Sequence, residues 1–155
     1  MQIIKGLAGT LKLLFKCQIK FNQAAKNRKI VIGGEEDTYR IFRRVEIVRN
    51  LDHEPEAYFV VRFRPKRMSA KANEVFSYIP MMIFMGFSGF CSKYWAVNDQ
   101  TNACMGVYEW ETIADAKWYA SSVAMAFMTK RSVKGSVSFK IYEKAKEQLK
   151  IEIYG

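Results

Sequence analysis

The chain has 155 residues, half of them hydrophobic and 14% aromatic, which suits one domain with a sizeable core and excludes disorder of the whole chain. Three cysteines (Cys17, Cys91, Cys104) cannot all pair within one chain and show no CxxC spacing, and the only histidine is His53. A disulfide framework, a zinc finger and a multi-histidine metal site are thereby excluded, and no metal or cofactor is expected. The net charge of +10 is lopsided: residues 1–29 carry seven basic and no acidic side chains, and the remainder 18 basic against 15 acidic. That is a basic arm on a nearly neutral body, unlike a nucleic-acid protein that is basic over a whole face.

In the arm, Lys5, Lys12, Lys16 and Lys20 share one narrow arc of a helical wheel. Ile3, Ile4, Leu7, Leu11, Leu14, Phe15 and Phe21 take the opposite side, with Gln18 the one polar intruder. The pattern predicts a basic amphipathic helix. Lysines interrupt it too often for a bilayer span or a signal peptide. Two readings stay open for its apolar stripe. Over residues 1–25 it lies on an anionic membrane surface, or it packs on the body or on a partner subunit.

Residues 30–56 are less legible. Ile30-Val31-Ile32 before Gly33-Gly34 predicts a short strand and turn, Tyr39 to Val48 fits a strand or a helix, and 51–55 reads as a loop. Residues 1–56 are thus expected to form the amphipathic helix and a linker, and 57–155 the domain.

From there the order sharpens. Ala57 to Arg64 predicts a strand ended by Pro65, and Ser69 to Met85 a helix broken or kinked by Pro80. Phe87 to Val97 and Ala103 to Glu111 read as two strands around the hairpin loop 98–102. Thr112, with Asp115 three residues on, caps a second helix in which Ala116, Ala120, Val123 and Phe127 recur at helical spacing. Lys130 and Arg131 suit its C-terminus, Gly135 to Tyr142 supplies a fourth strand, and Leu149 to Tyr154 a further one.

This order, β-α-β-β-α-β, is the ferredoxin-like pattern, an α+β fold with both helices on one face of an antiparallel sheet. Strand alternation groups Phe59, Val61, Phe63, Tyr108, Trp110, Val137, Phe139 and Ile141 on one face. The other face holds Arg62, Arg64, Val107, Glu109 and Lys140, a mixed set suited to burial in a dimer.

Residues 86–119 carry a resemblance. Gly86-Phe87-Ser88-Gly89-Phe90, Lys93-Tyr94-Trp95, Asn98-Asp99-Gln100-Thr101, Met105 to Glu111, Ala114-Asp115-Ala116 and Tyr119 together resemble the monooxygenase-like group of the dimeric α+β barrels. These are relatives of the antibiotic biosynthesis monooxygenases, and the likeness spans about residues 57–142. It implies a homodimer with one apolar pocket per subunit between sheet and helices. It also implies oxidation of a hydrophobic aromatic small molecule by dioxygen without metal or flavin. The protein's part there is a proton acceptor and a dry aromatic enclosure. On that reading Tyr94 and Tyr108 handle the proton, since a phenol both donates and accepts. Phe59, Phe63, Tyr78, Met82, Trp110, Trp118 and Tyr119 line the substrate, with Met81, Met85, Met125 and Met128 as adaptable wall. The characterised members' polar catalytic residues have no counterpart in this sequence. Heme-degrading relatives are excluded, because residues 112–131 contain no histidine to hold the heme.

Other readings compete. A non-catalytic carrier or sensor of a lipid or aromatic molecule needs the same pocket. An RNA-recognition module shares the element order, but Met105 to Glu111 lacks that module's opening basic residue and paired aromatics. Cys91 and Cys104 read as packing residues, Glu109 and Glu111 as partners of Arg62 or Lys140, and His53 as a solvated side chain. The expected location is the cytoplasm, with peripheral attachment at a membrane if the arm binds one.

Overall fold

The protein is described from a computed structural model covering residues 1–49 and 51–155. It opens with α1 (Gln2–Phe15), followed by β1 (Ile19–Phe21), a 3-10 turn (Gln23–Ala25), β2 (Lys29–Ile32) and β3 (Tyr39–Ile47). Then come β4 (Ala57–Phe63), α2 (Ala70–Phe76), α3 (Tyr78–Phe84), β5 (Phe90–Asn98) and β6 (Ala103–Trp110). The chain ends with α4 (Ile113–Ala120), α5 (Val123–Lys130), β7 (Ser138–Glu143) and β8 (Ile151–Tyr154). No described helix is long and apolar enough to cross a membrane.

Eight antiparallel strands form one curled sheet in the order β7-β4-β6-β5-β3-β2-β8, with β1 paired to β3. Residues 39–47, equally compatible with helix or strand, are a strand: paired to β5 on one side and to β1 and β2 on the other, they bury residues on both faces. α2 to α5 cover one face of the sheet. Phe59, Val61, Tyr108, Trp110, Phe84 and Trp95 form the core beneath them. The opposite face closes on itself, since Val60, Ala96, Met105 and Val107 pack with Ile30 and Ile32 of β2, and Ile151 and Ile153 of β8 lie against them. Of the mixed side chains that suggested a dimer on this face, Val107 is covered within the chain, Arg62 and Glu109 are half-buried, and Arg64 and Lys140 stay exposed.

Two β-bulges shape the central strands. One falls between Ile41 and Arg43 of β3, the other between Phe90 and Ser92 of β5. Each inserts a residue and shifts side-chain parity, so Phe90 and Lys93 both reach the helix-covered face.

Both long predicted helices are split. Pro80 cannot donate to the Phe76 carbonyl, and the chain bends at Ser77, between α2 and α3. The second breaks at Ser121-Ser122, where the Ser122 hydroxyl caps α5 by accepting from the Met125 N–H at 3.3 Å. Of the stripe read through both halves, Ala116 is buried as expected, Val123 and Phe127 are exposed, and Tyr119 and Met125 take the buried positions. Thr112 caps α4 as expected, accepting from Asp115 N–H at 3.0 Å. The arm's helix stops at Phe15, because Cys17 adopts a left-handed conformation (φ 53°), which places Lys20 and Phe21 on β1.

α1 packs on α3 through its small residues. Gly6 and Thr10 are buried there, and a Cβ on Gly86 would overlap the Gly6 carbonyl and the Thr10 amide. Backbone meets backbone, so the crossing has no room for a methyl group. Gly86→Ala is expected to force the helices apart and cost about 1–3 kcal/mol, the usual range for overpacking. Denaturant unfolding measures the loss, and faster amide exchange confined to α1 would locate it.

Candidate functional site

Between the helices and the sheet lies a hollow of about 70 Å³. Its floor is Lys93, Trp95, Cys104, Gly106 and Tyr108, with Phe84 and Tyr119 above. Half-buried Met68 and Phe76, together with exposed Phe127 and Arg131, mark the open side. No Asp or Glu is among the described residues that line it.

Lys93 dominates the site. It is paired across β5 and β6 with Tyr108, and its Nζ donates to the Tyr108 Oη at 2.6 Å. The nitrogen sits 4.1 Å from the centre of the Tyr108 ring, 4.2 Å from Trp95 and 4.5 Å from Phe84. The Tyr119 hydroxyl donates to the same Tyr108 Oη at 2.8 Å. Burial, and then the nearby Arg43 guanidinium, push the Lys93 amine well below the usual lysine range. Burial also holds the Tyr108 and Tyr119 phenols above theirs. An ammonium here would have three protons and one oxygen acceptor. A neutral amine instead donates one N–H to the Tyr108 oxygen, which also accepts from Tyr119, and keeps its lone pair free. The geometry thus favours an uncharged, basic nitrogen in an apolar hollow.

Arg43 stands behind this floor. It donates to the Ser77 hydroxyl at 2.7 Å and the Glu74 carbonyl at 2.9 Å, and stacks 3.5 Å from the Tyr78 ring centre. Cys104 accepts from Asn73 Nδ2 at 3.2 Å, and burial raises its thiol to about 12. Cys91 is likewise raised to about 11 by burial, so both are protonated packing groups.

Of the residues singled out from sequence, Tyr108, Tyr119 and Phe63 line the hollow. Phe59 and Trp110 are fully buried behind them, Phe59 edge-on to Tyr108 at 5.6 Å and Trp110 tilted against Tyr119 at 4.9 Å. Tyr94 occupies the opposite face of the sheet, under the Arg44 guanidinium at 4.1 Å, so it is not brought together with Tyr108. Met82 packs at the edge of the core, Tyr78 is exposed against Arg43, and Trp118 is exposed beside Phe87. Lys93 was missed as a site residue because lysine normally reads as solvated. Its spacing with Trp95 and Val97, at alternate positions of one strand, was the available signal.

Glu109 pairs with neither Arg62 nor Lys140. Burial opposes its charge, yet Lys144 at 2.8 Å and Ser92 at 2.7 Å hold the carboxylate below its usual range. Arg62 and Lys140 pair with Glu35 and Glu147, and Glu111 lies 3.8 Å from Arg49. Tyr58 and Tyr142, on the face an RNA module would use for stacking, are covered by Lys144 and Lys140 at 4.3 and 4.4 Å. His53 is exposed and donates from Nδ1 to the Glu54 carbonyl at 2.9 Å. Among the described residues no group of three or more His, Cys, Asp or Glu side chains could hold a metal ion.

No protein-family model matches this chain, and no curated protein matches it.

The Lys93 assignment fixes a pH dependence. The folded chain releases this proton at lower pH than the unfolded chain does, so between the two values the unfolded chain holds more protons. Stability therefore rises with pH from the folded Lys93 value up to about 10.4. Above about 10 the buried tyrosines reverse the sign, because there the folded chain retains protons that the unfolded chain loses. Lys93→Met is expected to abolish the rise and keep the fall, read by chemical unfolding at successive pH values. An unchanged slope in the variant would show that Lys93 is not the group responsible.

Proposed function

We propose that this chain binds a small hydrophobic aromatic molecule bearing an acidic hydroxyl, takes its proton, and exposes the resulting anion to dioxygen as a cofactor-independent monooxygenase-like enzyme. The observation that carries the reading is the buried Lys93 amine at the floor of an aromatic hollow, hydrogen-bonded to Tyr108 and with no carboxylate among the described lining residues. A phenol placed against Lys93 and Tyr108 gives its proton to the amine. The ammonium so formed is then paired with the phenolate, and the two charges offset each other in a site that suits neither alone. An electron-rich anion of this kind supplies all the electrons: a CH₂ group and O₂ become a carbonyl and water. The β7-β4-β6-β5 strand order supports a ferredoxin-like core for this half of the chain, with the pocket where such a core would hold it.

Size limits the ligand. The hollow has about half the volume of an engineered cavity of about 150 Å³ that takes up benzene. A single ring enters by moving the unbranched Met68 and Met128 at the wall, and a fused polycycle needs the helices to part. The second reading is a non-catalytic carrier of the same ligand class, and the place of Tyr94 on the opposite face of the sheet, away from the hollow, favours it. The resemblance also carries a homodimer. Among the described residues β7 pairs only with β4 and β8 only with β2, so each leaves one edge for a second copy, and light scattering gives the mass.

With p-nitrophenol at a pH just below its solution pKa, the protein is expected to shift the bound probe toward the yellow phenolate. Lys93→Met should lose that shift and bind about tenfold more weakly, equivalent to about 1.4 kcal/mol. Tyr108→Phe should retain binding with a smaller shift. Oxygen uptake with 4-ethylphenol, a single-ring phenol that carries a CH₂ group para to its hydroxyl, separates enzyme from carrier: saturable, protein-dependent consumption with formation of the 4-hydroxyacetophenone carbonyl supports the former, and binding without uptake the latter. No binding of any phenol would end both.

A further inference from the structure

α1 turns its small residues to the body and its large apolar residues to solvent. Gly6, Thr10 and Leu13 are buried against the fold. Ile4, Leu11 and Phe15 are 71%, 55% and 81% exposed, and Ile3, Leu7 and Leu14 are also open. Amphipathic helices ordinarily bury such a stripe. Here the direction is fixed by the backbone contact of Gly6 with Ile83 and Gly86, which only the glycine face can make. Lys5, Lys12 and Lys16 lie between the stripe and the body, all exposed, and among the described residues none forms an ion pair. The first acidic residue of the chain is Glu35, so nothing in the arm neutralises them.

We propose that α1 docks flat on an anionic lipid bilayer, with the stripe from Ile3 to Phe15 in the acyl boundary and the three lysines at the headgroups. Its 14 residues make a helix about 21 Å long, which lies within the interface and does not cross it. Charge selects the occupant. A second copy would bring another arm with seven basic and no acidic residues against this one, whereas a negative surface attracts both the lysines and, through the stripe, the apolar face. The rigid glycine crossing holds the helix preformed, so docking does not have to pay the ordering entropy of a disordered arm. This inference is independent of the hollow and its chemistry.

The test is co-sedimentation of the full chain with phosphatidylcholine vesicles and with vesicles containing phosphatidylglycerol. The bound fraction should be at least about tenfold greater on the anionic vesicles. It should fall as salt rises from about 0.1 M to about 1 M, where the screening length shrinks from about 10 Å to about 3 Å. Leu7→Glu with Leu11→Glu should lose binding, and Lys5→Glu with Lys12→Glu and Lys16→Glu should lose the preference for anionic lipid. All five positions are exposed, and an unchanged thermal transition verifies the fold of each variant. Absence of binding, equal binding to both vesicles, or wild-type binding by the leucine variant overturns the proposal. So does a self-associated wild type that the leucine variant dissociates, which would make a second copy the occupant.

Discussion

A lysine side chain buried among three aromatic rings, with one phenol as its hydrogen-bond partner, is the constraint around which the helix-covered half of this fold is arranged. Burying an ammonium without a counter-ion is so costly that the group gives up its proton instead. The cost is met locally: the Tyr108 oxygen accepts from both Lys93 and Tyr119, and the ring faces of Trp95 and Phe84 would stabilise a transient positive charge. No Asp or Glu is among the described residues that line the hollow around the lysine.

The sheet makes that placement feasible. Its curl encloses a second core between Val60, Met105, Val107 and strands β2 and β8, so the face away from the helices needs little outside cover. The bulge at Cys91 shifts β5 by one residue of parity, without which Phe90 and Lys93 could not both point under the helices. The breaks at Ser77 and Ser122 shorten the helices above and leave Met68, Phe76, Phe127 and Arg131 around the open side of the hollow.

The two ends of the molecule use opposite devices. Around Lys93, large side chains interdigitate and leave a small gap. At the α1–α3 crossing, glycines remove side chains until the backbones touch, and the large residues of α1 other than Leu13 are left facing outward. The first arrangement leaves a hollow, and the second leaves an apolar surface.

Much of this was readable in the residues. Alternation along 57–63, 103–110 and 137–141 put Phe59, Val61, Tyr108 and Trp110 on the helix side, because strand side chains have a fixed period of two. The amphipathic character of residues 2–15 and the Thr112 cap are local properties, and local properties are written in local sequence. What only the tertiary structure decided depends on register and on contacts between distant segments. The pairing of β5 with β6 set Lys93 opposite Tyr108 and sent Tyr94 to the other face. The pairing of β3 with β5 made residues 39–47 a strand. The close approach of Gly6 to Gly86 turned the apolar stripe of α1 outward. A helical wheel shows which residues share a side; which side is buried is settled by the surface it meets.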